Sequence, residues 1–254
     1  MILYCAAAAC AIGVVLVASR LVRRLKGVDD PDPDGPTTAH TGAMLSALFL
    51  LAFAIAIVVP WTTADAARSN TYAETQAISE AYWAAGRLPA PDERHVRAEL
   101  SRYVALVRGP EWRLMEHGRL SADGQRTLDD LRRYVTGVKA DSDELKDARN
   151  SVLDHLGEIS GARNQRAADA RTTPPGGLLA MTFLTGAAVL LLPFLSGARP
   201  RGATLIPLSI MAALLAAGAY LTVDISHVFD GALAVGPEAF THLQAELVRA
   251  GAGG

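Results

Sequence analysis

Residues 41–64 read TGAMLSALFLLAFAIAIVVPWTTA, and residues 65–86 continue as DAARSNTYAETQAISEAYWAAG. The first stretch has no ionisable side chain in 24 positions. A helix needs roughly 20 apolar residues to cross the hydrocarbon core of a bilayer, so this length suffices. The second stretch gains Asp65, Arg68, Glu74 and Glu80, with no proline and no internal glycine to stop the helix. One helix is therefore expected to leave lipid and enter water. Ala66, Ala73, Ala77, Ala81 and Ala84 are expected on one face of its polar half, where they would permit close helix contact.

Charge is distributed along the whole chain in the same two-phase way. Of 254 residues, 50% are hydrophobic and 20% charged, yet residues 65–171 hold 18 acidic and 17 basic side chains. The remaining 147 residues hold 15 charges. A soluble globular enzyme has no reason to segregate charge like this, whereas a chain alternating between lipid and water must. The formal net charge of −2 provides no basic field for nucleic acid, which is not expected as a partner.

Three further stretches are long enough to span. Residues 1–19 are uncharged until Arg20; residues 172–198 open with Pro174-Pro175-Gly176-Gly177 and carry Pro193; residues 202–223 carry Pro207 one turn inside their start. The last proline suits a first helical turn, whose N–H groups have no internal partners, and Pro193 is expected to kink its helix. The first stretch lacks a basic n-region, and Arg20, Arg23, Arg24 and Lys26 follow it. That order reads as an anchor with its N-terminus outside rather than a cleavable leader. Cys5 and Cys10, the two cysteines, both lie in this stretch and build neither a disulfide framework nor a thiolate metal site.

The expected fold is all-α: a polytopic, multi-pass membrane protein with four transmembrane helices and a helical bundle, residues 65–171, inserted between the second and third. Residues 20–40 form a basic then acidic, Pro-rich loop, and residues 224–254 a tail with one short amphipathic helix. Lysines and arginines near the helix ends set the sidedness. Arg20, Arg23, Arg24, Lys26, Arg199 and Arg201 on one side outnumber Arg68, Arg163, Arg166 and Arg171 on the other. This places the bundle outside the cell.

Within the bundle every segment has a helical period. Pro89 and Pro91 break the long helix, and Asp92 and Glu93 begin another with Val96, Leu100, Val104 and Val107 inward, ended by Gly109-Pro110. Ser121 is the expected N-cap of a helix burying Leu128, Leu131, Val135 and Val138. Asp141 with Glu144 resembles a capping box for the next helix, which buries Leu145, Ala148, Val152, Leu156 and Ile159. The abundant charges read as a solvated outer face laced with local ion pairs. His95, His117 and His155 share no metal-ligand spacing, and no phosphate-binding glycine loop or nucleophile elbow occurs, so no catalysis, cofactor or metal is expected.

The basic patch after the first span, His40 before the second and Trp61 after it, with Phe229, Gly231, Val235, Pro237 and Phe240 in the tail, give the chain a recognisable pattern. It resembles the bacterial bestrophin-like membrane protein family over nearly its whole length, departing from it at Val228, where the family pattern has proline. That family is distantly similar to true bestrophins. The resemblance implies a homo-oligomer, a pentamer in true bestrophins, conducting ions through a pore lined by the second span. It also implies a cytoplasmic helical domain, opposite to the charge count. Asp224 and Asp230 are isolated, unlike the acidic calcium-binding run of true bestrophins, so calcium control is not implied.

No ionisable side chain falls within the apolar body of any span, which disfavours coupled transport and leaves a passive pore. Leu45, Phe49, Phe53, Ile57 and Trp61 recur every four residues as one bulky stripe; Leu45 to Ile57 are the candidate pore lining, with lipid-facing or packing roles as the alternative. Asp65, Asp224 and His227 are candidates for a polar vestibule or simply mark the lipid–water boundary. Ala43 and Ala47, and Ala212, Ala213, Ala216 and Ala217, allow close helix approach. The competing class is a membrane-anchored sensor or scaffold that uses the bundle to bind a ligand or partner.

Overall fold

The computed structural model describes residues 36–172, 176–195, 205–231 and 233–252, together with Gly13, Val17 and Arg20, which are helical. Most of the expected first span and of the loop after it lie outside the described residues, as do residues 173–175 and 196–204. Every regular element described is helical: α1 (Pro36–Ala85), α2 (Ala90–Leu106), a π turn (Val107–Glu111), α3 (Trp112–Met115), α4 (Ala122–Gly137), α5 (Asp143–Arg171), α6 (Gly176–Leu195), α7 (Leu205–Ile225) and α8 (Glu238–Ala252). They divide into two compact units, Met1–Trp61 with Thr173–Ser226, and Thr62–Thr172 with His227–Gly254.

In the first unit, α6 and α7 pack through Leu190, Phe194 and Ala212, with Leu208, Met211 and Leu215 alongside. Met181, Phe183, Leu184, Ile210 and Leu214 stay exposed, as do Leu48, Leu51, Ile55 and Val58 on α1. Outward-facing large apolar side chains in this number suit a surface meeting lipid. Two helical stretches, Ser46–Ala85 and Leu208–Ile225, are long and apolar enough to cross a membrane. The expected third span is the 20-residue helix α6, whose apolar run Leu179–Leu191 is shorter than that requirement. Pro207 is the third residue of α7, and α6 runs through Pro193 to Leu195.

The second unit is the charged bundle, built on stripes of residues three and four apart. On α1 the buried row is Ala67, Thr71, Glu74, Ile78, Ala81 and Ala85. The alanine face expected from the sequence is displaced at one end: Ala66 and Ala73 are exposed, while Ala77, Ala81 and Ala84 are buried. The buried face of the helix takes in Thr71, Glu74 and Thr75 in place of Ala66 and Ala73. α2 begins after Pro89, with Asp92 and Glu93 in its first turn, and buries Val96, Leu100, Tyr103 and Val104. Acidic residues there complement the positive helix N-terminus.

Gly109-Pro110 does not end this segment. The Trp112 N–H donates to the Val107 carbonyl, and the chain passes through a π turn containing Pro110 into α3. Proline has no N–H to keep the i→i−4 ladder, and one wider turn accommodates it without stopping the helix. The consequence is positional, because the extra residue brings Glu111 into the core.

Ser121 caps α4 by accepting the Asp123 N–H at 3.1 Å. The cap of α5 is Ser142, one residue from the expected Asp141, and it accepts the Leu145 N–H at 3.2 Å. Leu128, Leu131 and Val135 of α4 meet Val152, Leu156 and Ile159 of α5 in one apolar cluster. Helix α8 adds Phe240, Leu243 and Leu247 to that cluster, packing on α2 and the π turn. Its approach is fixed by aromatic contacts: the Trp112 ring meets Phe229 edge-on at 5.7 Å and Phe240 at 6.0 Å.

Candidate functional site

The most polar feature of the bundle lies where its apolar stripes are interrupted. Along α5, Ala148, Val152, Leu156 and Ile159 are followed at the same spacing by Arg163 and Arg166, which are also fully buried. Glu74 breaks the α1 stripe, and Glu111 follows Leu100, Val104 and Val107 through the π turn. Four charges thus converge inside the core. The expected reading of the bundle's charges as a solvated face holds for most of them and fails for these four and for Asp169, which is buried and accepts from Asn70 Nδ2. Burying an unpaired charge costs several kcal/mol, so they persist by satisfying one another.

Arg166 donates to Glu74 through Nε to Oε2 at 2.7 Å and through Nη2 to Oε1 at 3.1 Å, a two-pronged grip suited to a planar guanidinium. The same Nη2 donates to Glu111 Oε1 at 2.9 Å. Arg163 donates to Glu111 Oε1 at 2.5 Å and to the Ser121 carbonyl at 2.6 Å, while the Ser121 N–H donates to Glu111 Oε2 at 3.1 Å. Tyr103 completes the set, its hydroxyl donating to Glu74 Oε1 at 2.7 Å. The Arg166 guanidinium also lies over the rings of Phe240, at 5.5 Å, and Trp112, at 5.8 Å.

Two glutamates and two arginines leave the cluster formally neutral. Burial, with the Glu74 carboxylate as the next cause, holds the Tyr103 phenol well above its ordinary value, so it stays a donor. Burial alone would lower the Arg166 guanidinium, but the charge and hydrogen bonds of Glu74, with Glu111, outweigh that and hold it above its ordinary value. Gly124 at the start of α4 makes room, since a Cβ there would lie 2.7 Å from Glu111 Oε2 and 2.8 Å from Arg163 Nη2. The cluster presents no open nucleophile. Chemically it joins α1, α2, the π turn, the N-cap of α4 and α5 through charge-assisted hydrogen bonds.

The candidate pore stripe belongs to the first unit. Phe49 and Phe53 stack with centroids 5.5 Å apart and planes 16° from parallel. Both are half-buried, as is Ile57; Leu45 is on the helix, and its side chain lies outside the described residues. The two rings rest on glycines of neighbouring helices. A Cβ at Gly186 of α6 would stand 3.2 Å from the Phe49 ring, and one at Gly218 of α7 would stand 2.6 Å from Phe53 Cζ. Beside them is an apolar hollow of about 510 Å³, bordered by Thr182, Ala212 and Tyr220 among others.

The vestibule candidates are divided between the units: Asp224, half-buried, is in the first, and Asp65 and His227, both exposed, are in the second. Trp61 is 56% exposed. Of the tail residues, Phe229, Val235 and Phe240 are buried, Gly231 takes φ +115°, and the Val235 N–H donates to the Val228 carbonyl at 2.8 Å. The backbone at Gly231 is one that a side chain rarely adopts, which explains the glycine. Among the described residues no three His, Cys, Asp or Glu side chains are grouped as for a metal ion.

A family model described as Bestrophin-like domain matches residues 5–240. No curated protein and no solved structure matches the chain.

Proposed function

We propose, from the premise that the chain belongs to the bestrophin-like family, that it is a homo-oligomeric, channel-like protein of the cell membrane with four spans and no catalytic activity. The observation that carries this reading is the aromatic pair Phe49 and Phe53 on a helix stretch with no ionisable side chain from Thr41 to Ala64. A passive pore gates with apolar rings and needs no intramembrane titratable group, whereas a proton- or ion-coupled transporter does. Leu45, Phe49, Phe53 and Ile57 form the constriction; Asp65, Asp224 and His227 follow the ends of the second and fourth spans in sequence. The Lys and Arg balance supports a bundle outside the cell. Labelling of an introduced Ser142→Cys by an impermeant thiol reagent in intact cells checks this, and protection of that thiol overturns it.

The test of the channel is ion flux into liposomes holding the full chain, with the mass of the detergent-solubilised protein measured alongside. Flux that rises in Phe53→Ala and a multimeric mass support the reading. A monomer, or no flux in either form, overturns it. The second reading, a sensor or scaffold, is favoured by the buried cluster of Glu74, Glu111, Arg163 and Arg166. It ties α1 to α5, the two helices through which the chain enters and leaves the bundle.

A further inference from the structure

Helix α3 ends in a turn held against the last turn of α5. Gly118 takes φ +66°, its N–H donates to the Met115 carbonyl at 2.8 Å, and the Arg119 N–H reaches back to the Leu114 carbonyl at 3.0 Å. This paired closure is the Schellman termination, in which a left-handed residue satisfies two end carbonyls. Arg171 Nε then donates to the Gly118 carbonyl at 3.3 Å. The turn is thereby fixed beside Arg171, five residues before α6 begins at Gly176.

Arg113, Arg119 and Arg171 are all exposed at this corner. In the segment RLMEHGR, residues 113–119, Glu116 is the only acid against two arginines. Among the described residues neither Arg113 nor Arg119 makes an ion pair, although three of the four exposed arginines of α2 and α4 do: Arg102 pairs with Glu99, Arg126 with Asp123 and Arg133 with Asp130. Cations are thus left without local counter-charges at the end of the bundle from which the chain passes to α6.

We propose that Arg113, Arg119 and Arg171 form a collar that binds the phosphate of an anionic phospholipid headgroup. Guanidinium groups grip phosphate oxygens bidentately, which a lysine point charge does not. Five residues of chain reach at most about 18 Å even when extended. The polar layer of a bilayer adds roughly 6 Å on each side of its hydrocarbon core, and the Debye length is about 8 Å at physiological salt. Connectivity thus keeps Arg171 within a distance of α6 comparable to the reach of headgroup charge. The proposal rests on the membrane reading above and is independent of ion conduction.

The full chain, delipidated in neutral detergent, would be titrated with phosphatidylglycerol, phosphatidylcholine or inorganic phosphate, with bound lipid counted by native mass spectrometry. The wild type should retain phosphatidylglycerol in preference to phosphatidylcholine. Each arginine near an anionic surface contributes about fivefold, so R113Q/R119Q should bind phosphatidylglycerol roughly 25-fold more weakly and R119Q alone about fivefold. The control R87Q/K139Q, which removes two exposed cations beyond the ends of α1 and α4, should bind like the wild type. Equal loss in both double variants, no preference for phosphatidylglycerol, or displacement of the lipid by an equal concentration of inorganic phosphate would each overturn the proposal. Failure of the membrane reading itself is seen separately, as release of the wild-type chain from membranes by alkaline carbonate.

Discussion

The guanidinium of Arg166 holds the carboxylate of Glu74 by two hydrogen bonds, 2.7 and 3.1 Å long, across 92 residues of chain. Both side chains are wholly buried, so neither can turn to water if the other is lost. Glu74→Ala should therefore lower the stability of the bundle by about 3–5 kcal/mol, because it leaves the buried Arg163 and Arg166 sharing the single carboxylate of Glu111. Glu74→Leu combined with Arg166→Met should cost markedly less than the two single changes added, since no unpaired charge remains. Thermal unfolding followed by tryptophan fluorescence measures both, and additive losses would show that the two charges are not coupled.

Tyr103 gives a pH signature. Burial raises its phenol well above the ordinary value, with Glu74 adding to the effect. The sign follows from which state keeps the proton. Above about pH 10 the unfolded chain ionises this tyrosine while the folded chain does not, so the contribution is complete below that pH and fades as pH rises toward the folded value. Tyr103→Phe should flatten the alkaline decline, by a fraction of a proton near pH 10 that rises toward one proton, about 1.4 kcal/mol per pH unit, as the unfolded tyrosine ionises. Unfolding midpoints between about pH 9 and 11 would reveal it. Parallel declines in the two proteins would exclude Tyr103 as the source.

Much of this bundle was legible in the sequence because apolar periodicity reports directly on which face is buried. Leu128, Leu131 and Val135, and Val152, Leu156 and Ile159, fall where the three-and-four spacing puts them. The charged cluster was not legible, since a periodic reading scores Glu and Arg as outward. A signal was nevertheless present: continuing the α5 stripe past Ile159 lands on Arg163 and Arg166, and joining Thr71 to Ile78 on α1 passes through Glu74. Glu111 was hidden for another reason. Gly109-Pro110 reads as a stop, and only the π turn shows that the stripe survives it. The aromatic pair was visible as spacing, but its glycine partners, more than 130 residues away, were not.

Gly124 should be intolerant of even one methyl group. The Cβ of an alanine would stand 2.7 Å from Glu111 Oε2 and 2.8 Å from Arg163 Nη2. Both are ends of long side chains, but each is fixed by hydrogen bonds and has no solvent to retreat into. Helix propensity alone would favour alanine by about 1 kcal/mol, and overpacking costs typically 1–3 kcal/mol. The net expectation for Gly124→Ala is a loss, contrasted with Gly137→Ala at the far end of the same helix, where nothing lies near the added carbon and no such clash offsets the propensity gain. A more stable Gly124→Ala would mean that the cluster yields easily.

Gly218 and Phe53 connect packing to the proposed pore. The notch at Gly218 is so close that a Cβ would lie 2.6 Å from Phe53 Cζ, and the ring is backed by Phe49 on the other side. Gly218→Ala must push Phe53 out of its place, at a packing cost of about 1–3 kcal/mol. If Phe53 belongs to the constriction, the displaced ring changes liposome flux in Gly218→Ala relative to wild type. Phe53→Ala removes the ring and with it the clash, so adding Gly218→Ala to that variant should change neither stability nor flux much further. The double-mutant cycle separates this from general damage, because two independent lesions would add whereas a single displaced ring does not. An additive result in flux would mean that Gly218→Ala acts other than through Phe53, and unchanged flux in Phe53→Ala itself would leave that ring as a packing residue between α1 and α7.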